Sequence, residues 1–406
     1  VKDASAPSAD FVLSGKTEVP FNVLKFHATD EAVKITDITL TFSTSTASTT
    51  DFKKVTLWDG ASKVGEVVWS GAANVQNATS TLTADFVVPK DGDKLMTIKA
   101  DLPDITFTAS TTAGRLLAID YNGISSTTGV GVASGAKLGS TSGNNTDGAS
   151  MQIMKSKLKV EKVAVPTSSI TPGDTSLYRF KVTADAAGPV ALGKFTFVVS
   201  SSTVSATTSN FRLYGYMDTG FFSKAYDNNP LSLNNVECTS LSTFESRSGA
   251  CTTLANNGSA YASTSEVVFF FAPSSNLASN TEAVVVPAGA TRYFEMKGDI
   301  ANPGSGTGNS FSVRLDGDAA RPVRELATGG SAGIGGIGLT GFYDLGKGFL
   351  GTLAAVASQS ANNNFVWSPM STSTSITGAT STPDWTNGFL LEGLPSTGLS
   401  ANTFSN

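Results

Sequence analysis

Few residues of this chain have the type and spacing that chemistry requires. His27 is the one histidine in 406 residues, and it stands beside Phe26 in an alternating segment. An isolated imidazole there reads as a surface or packing residue, not as a base or metal ligand. Cys238 and Cys251 lie thirteen positions apart in a Ser/Thr/Asn-rich stretch. A disulfide between them is the favoured reading, suited to an oxidising compartment, with two free thiols as the alternative. Oxygen donors on turn signals occur at Asp91 and Asp93, at Asp316 and Asp318, and at Asp227 with Asn228 and Asn229. Calcium prefers such ligands. None of these groups follows a known ligand spacing, and Asp and Asn also hold turns by bonding their own backbone. Calcium is therefore the one cofactor the sequence leaves open, and no cofactor is required.

No nucleophile elbow or phosphate loop is present, and the run Gly329-Gly330…Gly335-Gly336 lacks the flanking strand and helix of a phosphate site. Sequons stand at Asn77, Asn144 and Asn257, and Leu394 to Gly398 matches a sortase pattern without the apolar span that should follow it. An enzyme is not expected. What remains is contact chemistry. Phe211, Tyr214, Tyr216, Phe221, Phe222 and Tyr226 crowd one stretch, and aromatic faces stack on a neighbouring subunit or on a sugar. Phe211 reads as core, whereas Phe221 and Phe222, beside Gly220, are the better contact residues. The polar C-terminal stretch carries isolated apolar anchors at Phe365, Trp367, Trp385, Phe389 and Leu390. These are expected to dock on a neighbouring subunit, with docking on their own domain as the alternative.

Composition narrows the setting for those contacts. Charged residues make up 15% of the chain and the net charge is -5, against about 25% charged residues in an average soluble protein. No cluster of cations exists to displace phosphate counterions, so nucleic acid is not an expected partner. Surfaces this poor in charge tend to associate. No run of 18 apolar residues occurs, so no membrane span is expected. The start at Val1 fits a signal peptide already removed. The expected partner is a second copy, with a surface glycan possible.

The elements that position these residues are strands, and they repeat. Val33-Lys-Ile35-Thr-Asp-Ile38-Thr-Leu40 has the apolar spacing of Val190-Ala-Leu192-Gly-Lys-Phe195-Thr-Phe197. Leu24-Lys-Phe26 is matched to Tyr178-Arg-Phe180, Phe52 and Val55 to Phe211 and Leu213, and Val88-Pro89 to Val286-Pro287. Lys99-Ala-Asp101-Leu102 matches Lys297-Gly-Asp299-Ile300, and Leu117-Ala-Ile119 matches Phe311-Ser-Val313. Alternating runs rich in Val, Ile, Thr and Phe, bounded by Gly, Asn, Asp and Pro, are half-buried strands. The expected fold is all-β: tandem immunoglobulin-like β-sandwiches with a C-terminal extended tail. The expected domains are a first sandwich over 1–122, a Gly/Ser/Thr-rich linker or loop over 123–150, a second sandwich over 151–326 with an insertion near 214–265, and a glycine-rich connector and assembly tail over 327–406. The phase change after Ile35 and Leu192 predicts a bulge in both repeats.

Val19-Pro20…Leu24-Lys-Phe26, Val33-Lys-Ile35 and the later Val-Pro…Ile-Lys-Ala-Asp strand resemble repeats of large secreted proteins from candidate-phyla (Patescibacteria) bacteria. The C-terminal Asn364-Phe-Val-Trp-Ser-Pro369, Asp384-Trp-Thr-Asn-Gly388 and Gly393-Leu-Pro395 add to the resemblance. It implies a structural subunit of an extracellular, self-assembling surface layer or filament, and no activity. An adhesin or glycan-binding module is the alternative.

Overall fold

The computed structural model describes residues 1–42, 51–68, 77–105, 114–121, 128–139, 146–201, 207–226, 231, 236–240, 264–270, 284–301, 310–320, 364–371 and 386–405. All regular structure among them is strand. This follows from β-branched and aromatic residues alternating with Thr, Ser and Lys, a pattern with one face to bury. The chain divides into two compact units, which meet in sequence at Lys155 and Ser156.

Unit 1 contains β1 (Phe11–Leu13), β2 (Val19–Ala28), β3 (Val33–Phe42), β4 (Lys54–Asp59), β5 (Ser62–Val67), β6 (Asn77–Val88), β7 (Gly92–Asp101), β8 (Leu116–Leu117), β9 (Ile119–Tyr121), β10 (Thr128–Gly131), β11 (Lys137–Leu138) and β12 (Met151–Met154). One sheet has the order β2-β7-β4-β5, and the facing sheet β11-β10-β3-β6 with β9 also on β3. A three-stranded sheet, β1-β12-β8, includes the parallel pair β1 with β12. Phe21, Ile38, Leu40, Phe86, Met96 and Ile98 fill the space between the sheets and are fully buried.

Unit 2 contains β13 (Leu158–Val163), β14 (Gly173–Ala184), β15 (Val190–Ser201), β16 (Thr207–Tyr216), β17 (Val236–Ser240), β18 (Thr264–Phe270), β19 (Val284–Val286), β20 (Thr291–Ala301), β21 (Ser310–Leu315), β22 (Phe365–Ser368), β23 (Thr386–Asn387) and β24 (Asn402–Ser405). Its sheets run β13-β14-β20-β16 and β17-β18-β15-β21-β24, with β19 and β22 also on β15 and β23 on β22. Phe180, Phe195, Phe197, Phe269 and Phe294 build an aromatic core, Phe180 stacking on Phe294 at 5.1 Å. The architecture is a tandem of immunoglobulin-like sandwiches.

The registers give the repeat residue by residue. Val33 faces Val88 and Val190 faces Val286, so β3 and β15 are the same strand of the two sandwiches. The expected bulge is present in both: register shifts between Ile35 and Asp37 on β3 and between Leu192 and Lys194 on β15. The shift turns Ile35, Ile38 and Leu40, and likewise Leu192, Phe195 and Phe197, toward the core. Two matches need correction. Leu57 faces Ile98 while Leu213 faces Met296, so Leu213 corresponds to Leu57 and not to Val55. Leu24 faces Met96 while Phe180 faces Phe294, so Leu24 corresponds to Phe180 and not to Tyr178.

Residues 364–371 and 386–405 are not an appendage. Strand β22 lies on β15 with Leu192 facing Trp367, as β10 lies on β3 with Ile35 facing Gly129, and both pairs shift register at the bulge. Strand β23 then pairs with β22 as β11 pairs with β10. Near the end, Phe311 faces Phe404 as Leu117 faces Met151. The Leu399 N–H bonds Leu315 O at 2.9 Å, as the Thr146 N–H bonds Tyr121 O at 3.0 Å. The described residues among 128–152, which lie in the expected linker over 123–150 and run into the start expected for the second sandwich at 151, and those among 364–405, in the expected tail over 327–406, are the same closing segment of their two sandwiches.

Candidate functional site

Strand β16 runs into the segment expected to carry contact aromatics. Its outer face has Tyr214 and Tyr216, whose rings lie 6.4 Å apart at 22°. The Lys297 ammonium sits 5.8 Å above the Tyr214 ring. Beneath Tyr216, Arg179 of β14 donates to Glu295 Oε1 of β20 from both Nε (2.8 Å) and Nη2 (2.6 Å). Glu295 is buried, and so needs this two-bond partner to offset its desolvation. The Tyr216 hydroxyl donates to Glu295 Oε2 at 3.5 Å. Burial, and then the charge of Glu295, pushes the Tyr216 phenol up to about 12.

A turn over this face organises the next six residues. The Asp218 carboxylate accepts the backbone N–H groups of Gly220 at 2.8 Å, Phe222 at 3.5 Å and Ser223 at 2.6 Å. Those bonds, led by Ser223, hold the carboxyl below the usual range. Phe221 adopts φ 60°, a left-handed conformation rare for a bulky residue. Its ring is buried, 5.5 Å from Tyr216 and 5.9 Å from Tyr293, with the Arg179 guanidinium 4.1 Å from its centroid. Phe221 is therefore the anchor of the turn. Phe222 points away and is 85% exposed, with Met217 52% exposed at the start of the same turn. Sequence reasoning grouped Phe221 with Phe222 and missed Asp218 and Met217. The signal was Asp218 two residues before Gly220, the spacing of a carboxylate that bonds its own turn.

The other anchors are used inside their own unit. Phe365 and Trp367 are fully buried, Phe365 lying 4.8 Å from Phe195 and Trp367 donating from Nε1 to Asn387 O at 2.9 Å. This corrects the expectation that they meet a neighbouring subunit, because β15 offers an unfilled strand position in the same chain. Phe389 and Leu390 are half-buried in the turn that follows β23. Trp385 lies outside the described residues. So do Cys251, and with it the expected disulfide to Cys238 of β17, and Asp227, Asn228 and Asn229.

Asp93, Asp316 and Asp318, three of the carboxylates considered for calcium, are committed elsewhere. Asp93 Oδ1 lies 2.7 Å from His27 Nδ1, and its Oδ2 lies 3.4 Å from Lys25 Nζ. Asp91 occupies a left-handed turn position at φ 52°. Asp318 is buried and accepts three backbone N–H groups of the closing segment: Asn364 at 2.7 Å, Phe365 at 3.2 Å and Gly388 at 2.7 Å. Asp316 Oδ2 accepts from Asn364 Nδ2 at 3.2 Å. Burial raises both carboxyls, Asp318 to about 6 against the pull of its three amide donors. Asp316 and Asp318 thus form a clasp for β22 and β23. Among the described residues no three His, Cys, Asp or Glu side chains converge as a metal site, and no helix is long and apolar enough to cross a membrane.

Neither a protein-family model nor a curated protein matches the sequence. Solved structures with some likeness include the C-terminal domain of the antigen I/II polypeptide BspA of Streptococcus agalactiae, at 11% identity over 78% of this chain and 93% of that one, TM-score 0.19. Another is the collagen adhesin of S. aureus, at 10% identity over 76% of this chain and 83% of that one, TM-score 0.13. With scores this low, the fold rests on the strand pairings themselves.

Proposed function

We propose that this chain is a structural module of an extracellular bacterial surface assembly, a layer or a filament, in which copies meet through the Phe222 turn. The supporting observation is the presentation of Phe222: a phenyl ring 85% exposed on a turn fixed by Asp218 beneath it and Phe221 beside it. Rigid aromatic side chains lose little freedom when covered, which is why they dominate contact energetics. Met217 extends the apolar patch, and a surface poor in charge sets up little long-range repulsion between copies. This reading assigns the chain no reaction and no cofactor.

Electron microscopy of the concentrated full chain, paired with sedimentation, tests it. Regular sheets or fibres are expected from the natural sequence, and none from Phe222→Ser at an unchanged melting temperature. A natural chain that stays single at high concentration, or a Phe222→Ser chain that assembles equally well, contradicts it. Single particles that bind a surface polysaccharide through this turn would replace it with an adhesin.

A further inference from the structure

The two sandwiches present different surfaces at one equivalent place. On the outer face of the β13-β14-β20-β16 sheet, Arg179 and Tyr214 flank Glu295, and Lys181 faces Tyr293. In unit 1, Val23 and Trp58 flank Thr97 in the same way, and Lys25 faces Leu95. Arg179, Tyr214, Glu295 and Tyr293 therefore match Val23, Trp58, Thr97 and Leu95. A lysine over the aromatic ring marks the place in both, Lys99 at 4.0 Å from the Trp58 centroid and Lys297 at 5.8 Å from that of Tyr214.

In unit 2 this place takes a phenyl ring. The chain continues past Tyr216 into the Asp218 turn, and the Phe221 ring lies 5.9 Å from Tyr293, with the Arg179 guanidinium 4.1 Å from its centroid. In unit 1, β4 ends at Asp59 and the chain turns directly into β5 at Ser62. Gly60, in that turn, has open space where a Cβ would project. Leu95 is 41% exposed, although β7 is an inner strand of its sheet. Among the described residues it is the one large apolar side chain left exposed on an inner strand. Val23, diagonal to it across the β2–β7 pair, is buried but lies outside the core between the sheets.

We propose that the Leu95 face of unit 1 receives Phe222 of a second copy of this chain. The inference rests on the Phe222 turn being a contact, and it supplies the other half of that contact. The occupant follows from what the chain does with the equivalent place, where a phenyl ring sits against Tyr293 and Arg179. Phe222, the next residue, offers the same ring to the outside at 85% exposure. An aliphatic patch beside the Trp58 ring suits a phenyl group. The two surfaces differ, so the contact is heterologous. Each copy keeps one turn and one face to offer, and repetition without closure yields an extended array.

Two variants of the full chain, Phe222→Ser and Leu95→Glu, test this by sedimentation velocity, alone and mixed in equal amounts. Each alone is expected to stay single at concentrations where the natural chain assembles, with an unchanged melting temperature. The mixture is expected to form one-to-one pairs and nothing larger. The Phe222→Ser copy keeps an intact Leu95 face and the Leu95→Glu copy an intact turn, so one contact forms and none can follow it. Leu95→Gln, which keeps the size of the side chain, is expected to raise the concentration needed for assembly by about tenfold. A Leu95→Glu chain that assembles as the natural one does would overturn the proposal, and so would a mixture that stays single. Either result leaves the Phe222 turn in contact with some other surface. A natural chain that stays single would remove the role of that turn, and this inference with it.

Discussion

The closing strands β10 and β22 occupy the same place in their two sandwiches and fill it by different means. Gly129 sits opposite Ile35, and a Cβ there would stand 3.0 Å from Val33 Cγ1 and 3.3 Å from Lys34 O. The backbone of β10 thus approaches β3 so closely that a side chain would fit only if Val33 and Lys34 gave by a few tenths of an ångström. Trp367, at the equivalent place on β22, is fully buried. The two units also hold their closing strands with different carboxylates. Asp37, on β3 itself, accepts hydroxyls from Thr128 on β10 at 2.5 Å, Thr81 on β6 at 2.6 Å and Thr36 at 2.8 Å. Asp318 lies beyond the end of β21 and binds main-chain amides of β22 and its neighbours. One sandwich topology therefore admits either close backbone contact fixed by hydroxyls or a large aromatic wedge fixed by a buried charge.

The largest effect that can break this comparison is truncation. A chain ending at Ser371 lacks β23 and β24, and so leaves Phe311 without Phe404 and Asp318 without the Gly388 N–H. Its second sandwich should lose its cooperative thermal transition while the first melts as before. Two intact transitions by calorimetry would mean that the closing segment is not part of the sandwich.

Trp367→Ala tests the wedge alone. Removing a fully buried indole should lower the stability of unit 2 by about 3 to 5 kcal/mol, read by chemical denaturation. Gly129→Ala should cost unit 1 less, about 1 to 3 kcal/mol, because it crowds the Val33 side chain and Lys34 O and leaves no cavity. If Gly129→Ala costs more than Trp367→Ala, the contrast between the two strands is misjudged.

Acid should act on the two clasps in opposite directions. The folded Asp318 carboxyl is raised by burial to about 6, so its contribution is present in full below the ordinary carboxylate value and lost as pH rises through about 6. Unit 2 should lose at most about 3 kcal/mol between about pH 4 and pH 7 on this account, and Asp318→Asn should flatten that slope. The hydroxyl bonds to Asp37, Thr128 first, hold its carboxyl below the ordinary value. Its contribution is therefore present above that value and lost as pH falls through the lower folded one. Melting curves of the two transitions across pH check both signs, and parallel slopes would show that the clasps do not differ as described.

Phe222→Ser should be the mildest change to stability, within about 0.5 kcal/mol, since an exposed ring supports no core. A larger loss would mean that Phe222 packs within its own chain.

Much of this was legible in the residues, and its limits have physical causes. The bulge was readable because Ile35 and Ile38, like Leu192 and Phe195, break a two-residue period at the same point in both repeats. The register of β2 against β14 slipped by two residues because an alternating strand looks the same when shifted by its own period. The closing strands were invisible as a pair: Thr128-Gly-Val-Gly and Phe365-Val-Trp-Ser share no pattern, since one is selected for backbone approach and the other for filling volume. Phe222 stood out together with Phe221, a pair of aromatics following Gly220. Its separation from Phe221 depends on the three amides gathered by Asp218, which only the folded turn reveals.

The central claim is that residues 364–371 and 386–405 complete the second sandwich within one chain. Amide hydrogen exchange of the full chain, measured over a hundredfold range of concentration, tests it most directly. The account predicts that Phe365 to Ser368 and Asn402 to Ser405 are as well protected as Val190 to Ser201 at every concentration. Protection of these two strands that appears only as copies associate would contradict it, and would move β22 and β24 onto a neighbouring molecule.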